Sequence, residues 1–291
     1  MLSPRGCHGF VSEDGVVVTN TELGLTTATR EATSFRLPIR GVREATTLLW
    51  VYVVYSGLRN FVTGSPDVAA RHAAQLLQVE HALDIGVGQP VRVATEHVAW
   101  LTSFANVVYA SHAVVPVVVL CVLYRTMPER YRRWRDTFVI ALGIGLIGFW
   151  LYPVMPPWIL ARAYHFVDTT RTLRVGHSPL PGAMVPNPNR LDVFGFSNPY
   201  ASMPSLHVAW ALMASIAAWP LLRRRWLQVA GVLYPVLMLG AVTVTWNHWT
   251  LDSIGGVLTV AVAYVLAGVF ERAVRAVDRA VPAMRRAAFR S

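Results

Sequence analysis

Two short strings hold most of the residues able to do chemistry: Asn198-Pro-Tyr-Ala-Ser-Met-Pro-Ser-Leu-His207 and Thr245-Trp-Asn-His-Trp-Thr-Leu-Asp252. His248 and Asp252 stand four residues apart, so a helix places them on one face within reach of each other. A carboxylate that holds one imidazole nitrogen leaves the other free and more basic, as a histidine base or nucleophile requires. A purely structural hydrogen bond is the alternative. In the first string Pro204 suits the first turn of a helix, where its missing N–H costs nothing. Ser205 and His207 then sit near the backbone N–H groups of that helix end, which favour phosphate. Ser202 and Ser205 can equally serve as caps alone. The conjunction of two histidines and one aspartate favours chemistry over capping.

The elements that must position these strings are apolar. The chain has 291 residues, 54% hydrophobic and 14% charged, with mean hydropathy +0.42, which excludes an ordinary soluble domain and reads as a membrane protein. Six apolar runs approach bilayer length: 45–62, 97–124, 137–152, 206–222, 227–245 and 251–270. The expected fold is therefore all-α, a polytopic bundle of six transmembrane helices over residues 44–270. Residues 67–84 mix Leu76, Leu77 and Leu83 with Arg71, Gln75 and Glu80, the pattern of an interfacial amphipathic helix. The loop 156–204 is rich in Pro, Gly and Asn and is expected to cap one face as an extracytoplasmic active-site loop. Pro116 is expected to kink the second run. Residues 1–43 read as a disordered cytoplasmic tail and 271–291 as a basic cytoplasmic tail.

All 26 basic residues are arginine, and the net charge is +10. In a soluble chain that balance suggests nucleic acid; here the arginines cluster between apolar runs and set orientation. Nineteen lie on one side of the six spans and seven on the other, which makes both termini cytoplasmic and turns both polar strings outward. Ionisable groups at that depth are functional candidates. Trp246 and Trp249 read as interface anchors. Cys7 and Cys121 lie too far apart in sequence and setting to suggest a disulfide framework, and no metal-ligand spacing is present.

Pro-Ser-Leu-His207, followed after one hairpin by Asn247-His248 and Asp252, resembles the second and third motifs of the type-2 phosphatidic acid phosphatase superfamily. The fuller strings 198–210 and 245–256 are similar to its inositol phosphorylceramide synthase branch, the aureobasidin-resistance type. The likeness extends over about residues 80–270, including Pro-Glu-Arg-Tyr-Arg-Arg at 128–133 and Tyr-Pro-Val-Met-Pro-Pro at 152–157. It implies that His248 attacks phosphorus, Asp252 orients it, and His207 protonates the leaving alcohol and then activates the acceptor through a phosphohistidine intermediate. It implies no metal and no cofactor, in keeping with the lack of a carboxylate cluster suited to Mg²⁺.

Two departures stand out. The phosphatase branch has an arginine six residues before the nucleophilic histidine, where this chain has Val242; related sequences often follow Pro-Pro with arginine, where it has Trp158. Arg162, one helical turn beyond Trp158, and Arg190 are the candidates for gripping phosphate, and Ser205 and Asn247 can add neutral donors. Tyr109 and His112 match a recurrent family position and are expected to line the lipid groove; a satisfied core histidine is the alternative. Gly143, Gly145, Gly148, Gly255 and Gly256 read as close-packing positions.

The expected function is an integral-membrane phosphatase or phosphotransferase acting on a phospholipid or lipid phosphate at the outer face of a cell membrane. The missing arginine and the synthase-like strings favour transfer of a phosphoryl headgroup between lipids. The competing class is a transporter or lipid-handling protein with a His/Asp proton relay, against which stand the lack of an inverted repeat and the position of the cluster near one face. Two histidines and one aspartate are too few for a metal hydrolase, and no glycine-flanked serine supports an intramembrane protease. The partners expected are membrane lipids and not nucleic acid. Arginine-only usage with high Ala and Val content suggests a GC-rich bacterial genome.

Overall fold

The computed structural model describes residues 39–62, 64–95, 97–163 and 198–288, and among them every regular element is helical. The chain divides into two units, Met1–Leu48 and Leu49–Ser291. Of the first, the described part is the opening of α1 (Ile39–Phe61), where the Thr46 and Thr47 hydroxyls each donate to a carbonyl one turn back at 2.9 Å. The second holds the rest of α1 and α2 (Pro66–Ala82), α3 (Gly88–Thr95), α4 (Ala99–Ser111), α5 (Val115–Thr126), α6 (Pro128–Leu151), α7 (Pro157–Ala163), α8 (Leu206–Ala218), α9 (Arg225–Val244) and α10 (Thr250–Ala288).

Among the described residues, four runs are long and apolar enough to cross a bilayer: α4 with α5, α6, α9, and residues 250–280 of α10. Their outer faces carry exposed side chains such as Val232, Val236 and Leu239 on α9 and Leu258, Val262 and Val269 on α10, a surface suited to lipid rather than water. All six expected spans fall on helices, but two differ in kind from the other four. α8 with its terminal 3₁₀ turn covers only Leu206–Leu221 and is buried nearly all round by α5, α6, α9 and α10, so it is the hub of the bundle. α1 is 23 residues long yet carries Arg40, Arg43, Glu44 and Arg59.

The break expected at Pro116 is a real interruption. Three successive i→i+3 bonds, from the N–H groups of His112, Ala113 and Val114, join α4 to α5, and Pro116 sits in the first turn of α5. The amphipathic segment is α2, capped by Ser65, whose hydroxyl accepts from Val68 N at 3.3 Å. Two helices were not foreseen: α3, and α7 inside the segment read as an irregular loop. The basic tail also continues α10 as helix to Ala288; Glu271, just past the apolar stretch, pairs with Arg275 one turn on and with Arg133 of α6.

Candidate active site

α9 ends in a tight reversal that delivers His248. Trp246 N donates to Thr243 O and Asn247 N to Val242 O, both at 3.0 Å, and Trp246 adopts φ 55°. This is the paired-bond helix stop usually made with glycine at the left-handed position. A tryptophan there costs about 1–2 kcal/mol of backbone strain, so its ring must be held by its surroundings. The Arg92 guanidinium stands 5.8 Å over that ring. Asn247 Nδ2 donates to Thr245 Oγ1 at 2.8 Å, within the turn.

Asp252 lies in the first turn of α10 with no exposed surface. Its Oδ2 accepts the Trp249 backbone N–H at 3.0 Å, a helix-capping contact, and stands 3.3 Å from His248 Nδ1. Ser202 Oγ donates to the same Oδ2 and lies 3.2 Å from His248 Nδ1. The other ring nitrogen, His248 Nε2, is 3.1 Å from His207 Nδ1. One line of contacts thus runs from Asp252 through His248 to His207, and Ser202 braces its carboxylate end.

Three connections hold the two strings in register. Ser205 N donates to Asp252 O at 2.8 Å, tying the start of α8 to α10. Ser205 itself is the helix cap, its hydroxyl accepting from Val208 N at 3.5 Å, so Pro204 stands just outside the helix rather than in its first turn. Small residues make the approach possible: a Cβ at Gly256 would overlap the Ser205 carbonyl oxygen, and one at Gly148 would meet Pro204 Cδ at 2.7 Å. The segment 152–157 is the third tie. Val154 N donates to Tyr200 O at 3.0 Å, and Trp249 Nε1 donates to Met155 O at 2.9 Å. Trp249 therefore points into the core, 5% exposed, rather than outward as an interface anchor, because its indole N–H finds a buried carbonyl there.

Tyr109 and His112 meet this site. The Tyr109 ring stacks on His207 with centroids 4.2 Å apart, and the His112 ring meets it edge-on at 4.1 Å. His112 Nδ1 is 2.6 Å from Tyr109 O, at the α4–α5 break. Of the two loop arginines, Arg190 lies outside the described residues, and of Arg162 only the backbone, in α7, falls within them.

Three residues of the site escaped sequence reasoning. Ser202 read only as a cap, since its partners lie 46 and 50 positions away. Arg59, near the end of α1, stands 5.9 Å over the Tyr55 ring, and its Nε is buried without a hydrogen-bond partner. Glu80 is 2% exposed and its Oε1 accepts Leu251 N at 2.8 Å, so it caps α10 from across the fold. Burial pushes its carboxyl up to about 7 despite the bond from Leu251. A signal for Glu80 did exist: it continues the buried stripe Ala69, Ala73, Leu76 and Leu77 at helical spacing, where a carboxylate is out of place.

A family model described as PAP2 superfamily matches residues 74–266, which include all three titratable residues of the line. The chain belongs to that superfamily. Among curated proteins, this PAP2 member is similar to a phosphoinositol dihydroceramide synthase of Bacteroides thetaiotaomicron, 26% identical over 178 residues. That match covers 56% of this chain and 54% of the relative, so the chain spans about half the length of the curated protein it matches. No solved structure matches.

Proposed function

We propose that this PAP2 member transfers a phosphoinositol-type headgroup from a phospholipid donor to a lipid hydroxyl through a phosphohistidine. The observation that carries the reading is the Asp252–His248–His207 line, with contacts of 3.3 and 3.1 Å. Asp252 and Ser202 hold Nδ1, which leaves His248 Nε2 as the nucleophile. Nε2 attacks phosphorus while the bond from phosphorus to the diacylglycerol oxygen breaks, and that oxygen takes a proton from His207. Neutral His207 then accepts the proton of the acceptor hydroxyl, whose oxygen attacks phosphorus as the N–P bond breaks. Both steps return His248 and His207 to their starting forms. A phosphoryl group must part the two rings to be attacked, and Tyr109 and His112 bound the side on which His207 can move.

The missing family arginines leave the phosphate charge to be met elsewhere. Arg162 and Arg190 are proposed for it from their loop, and Arg59 from the end of α1, where its carbonyl oxygen accepts from Asn198 at the head of the first string and its Nε is buried without a partner. Ser205 and Asn247 are proposed as neutral donors. The proposed topology has six spans, α1 and α8 joining the four long ones, with both termini cytoplasmic and the site extracytoplasmic. The mechanism asks for no metal, and among the described residues no group of three or more metal-ligating side chains occurs.

The test is turnover by purified protein in mixed micelles containing EDTA, with headgroup-labelled phospholipids and a ceramide-type acceptor, wild type against His248→Ala. Labelled headgroup appearing on the acceptor, in EDTA and only in wild type, is the expected result. Labelled phosphorylated headgroup released to water in place of transfer would make the protein a hydrolase. No turnover on any lipid by folded protein would move the weight to a His/Asp relay in a transporter.

A further inference from the structure

α10 begins without the usual cap. The residue just before it is Trp249, whose side chain carries no acceptor and gives its one N–H to Met155 O. A helix start leaves its first backbone N–H groups without intrahelical partners, and a Ser, Thr, Asp or Asn just before the helix ordinarily meets one of them. Half of a capping box is nevertheless in place. Asp252, at the third helical position, reaches back to Trp249 N at 3.0 Å, as the acidic member of such a box does. The reciprocal half, an acceptor for the first-turn N–H groups, has to come from another element.

Glu80 of α2 supplies it, with Oε1 accepting Leu251 N at 2.8 Å. The carboxyl is 2% exposed, so little water stands ready to replace it. Leu251 and Asp252 are neighbours in the same turn. From the other side α8 holds that turn as well, through the bond from Ser205 N to Asp252 O at 2.8 Å. The first turn of α10 is thus gripped by its N–H groups from α2 and by a carbonyl from α8, and between the two grips stands the carboxylate 3.3 Å from His248 Nδ1. A turn that frays at Leu251 carries that carboxylate off its partner, and a misplacement of about 1 Å costs roughly 10²-fold in rate.

We infer that Glu80 is a positioning residue of the reaction: by capping α10 from α2 it fixes the turn that aims the Asp252 carboxylate at His248 Nδ1. It touches no reacting atom and acts only through Asp252. The inference rests on the histidine reading above and adds to it a residue from a helix that contributes no group to the chemistry.

The experiment measures kcat and KM in mixed micelles with headgroup-labelled phosphatidylinositol and a ceramide-type acceptor, each variant being checked by thermal unfolding in the same detergent. Glu80→Leu keeps the bulk and removes the acceptor; kcat is expected to fall at least tenfold, with KM changed less than threefold. Glu80→Gln keeps a capping oxygen and is expected to stay within threefold of wild-type kcat. Glu80→Asp keeps the charge but draws the oxygens back by one methylene, so it too should lose at least tenfold, and it carries the test if the leucine variant fails to fold. In an Asp252→Ala background, Glu80→Leu is expected to cost less than threefold more, because there is no carboxylate left to aim. A residue that served stability alone would cost the same factor in both backgrounds. That result, a smaller loss in folded Glu80→Leu or Glu80→Asp, a loss expressed in KM, or a glutamine as impaired as leucine overturns the inference. Turnover that depends on His248 yet ignores Glu80 refutes the positioning role alone, whereas no turnover by wild type, or turnover surviving His248→Ala, refutes the histidine reading itself.

Discussion

Asp252→Asn isolates one quantity, the negative charge beside His248. The asparagine Oδ1 can still accept from Ser202, Trp249 and His248, so the shape and the tautomer-setting contacts persist. What disappears is the attraction between the carboxylate and the imidazole ring as it becomes cationic in the proposed phosphorylation. At the observed 3.3 Å and an effective dielectric of about 20, that attraction is about 5 kcal/mol. Relaxation and residual polarity reduce it, so about 4 kcal/mol is a working figure, a loss of roughly 10³-fold in kcat at about 1.4 kcal/mol per decade. The other carboxylate oxygen, Oδ1, is buried without a hydrogen-bond partner. An amide NH₂ placed there adds an unsatisfied donor and costs about 1–3 kcal/mol of stability. The assay is single-turnover headgroup transfer in mixed micelles, with thermal unfolding in the same detergent as the control. Retention of more than a tenth of wild-type kcat by folded Asp252→Asn would refute the role of this charge.

Four further outcomes are expected. Ser202→Ala removes the brace shared by Asp252 and His248 Nδ1 and should lower kcat about tenfold at nearly constant KM, measured in the same transfer assay. Glu80, raised to about 7, binds more protons in the folded than in the unfolded protein between about pH 4.5 and 7. Stability should therefore fall as pH rises across that window, by at most about 3 kcal/mol, and Glu80→Gln should flatten the slope, read as Tm against pH. Gly256→Ala drives a methyl group into the Ser205 carbonyl and should cost about 1–3 kcal/mol and most of the activity, whereas Gly143→Ala, with open space around its Cα, should cost under about 1 kcal/mol by thermal unfolding. Transfer should be unchanged after exhaustive EDTA treatment; loss restored by Mg²⁺ would contradict the histidine mechanism.

Part of this protein was written in local pattern. Apolar runs of bilayer length, the i,i+4 pair His248 and Asp252, and the amphipathic face of α2 depend on residues near one another along the chain, and helical periodicity reads such relations directly. The site's second histidine came from a motif rather than a spacing, because His207 and His248 are 41 positions apart. α8 shows the limit. Its composition is that of a membrane span, yet it is the buried hub of the bundle, because an all-round apolar helix reads the same whether lipid or protein surrounds it. Tertiary structure alone decided that Ser202 braces Asp252, that Glu80 of α2 caps α10 from 171 residues away, and that Tyr109 and His112 close on His207 at the break between α4 and α5. Each of these contacts joins side chains on different helices, and which helix faces meet is set by close packing at positions such as Gly148 and Gly256 rather than by any short-range signal.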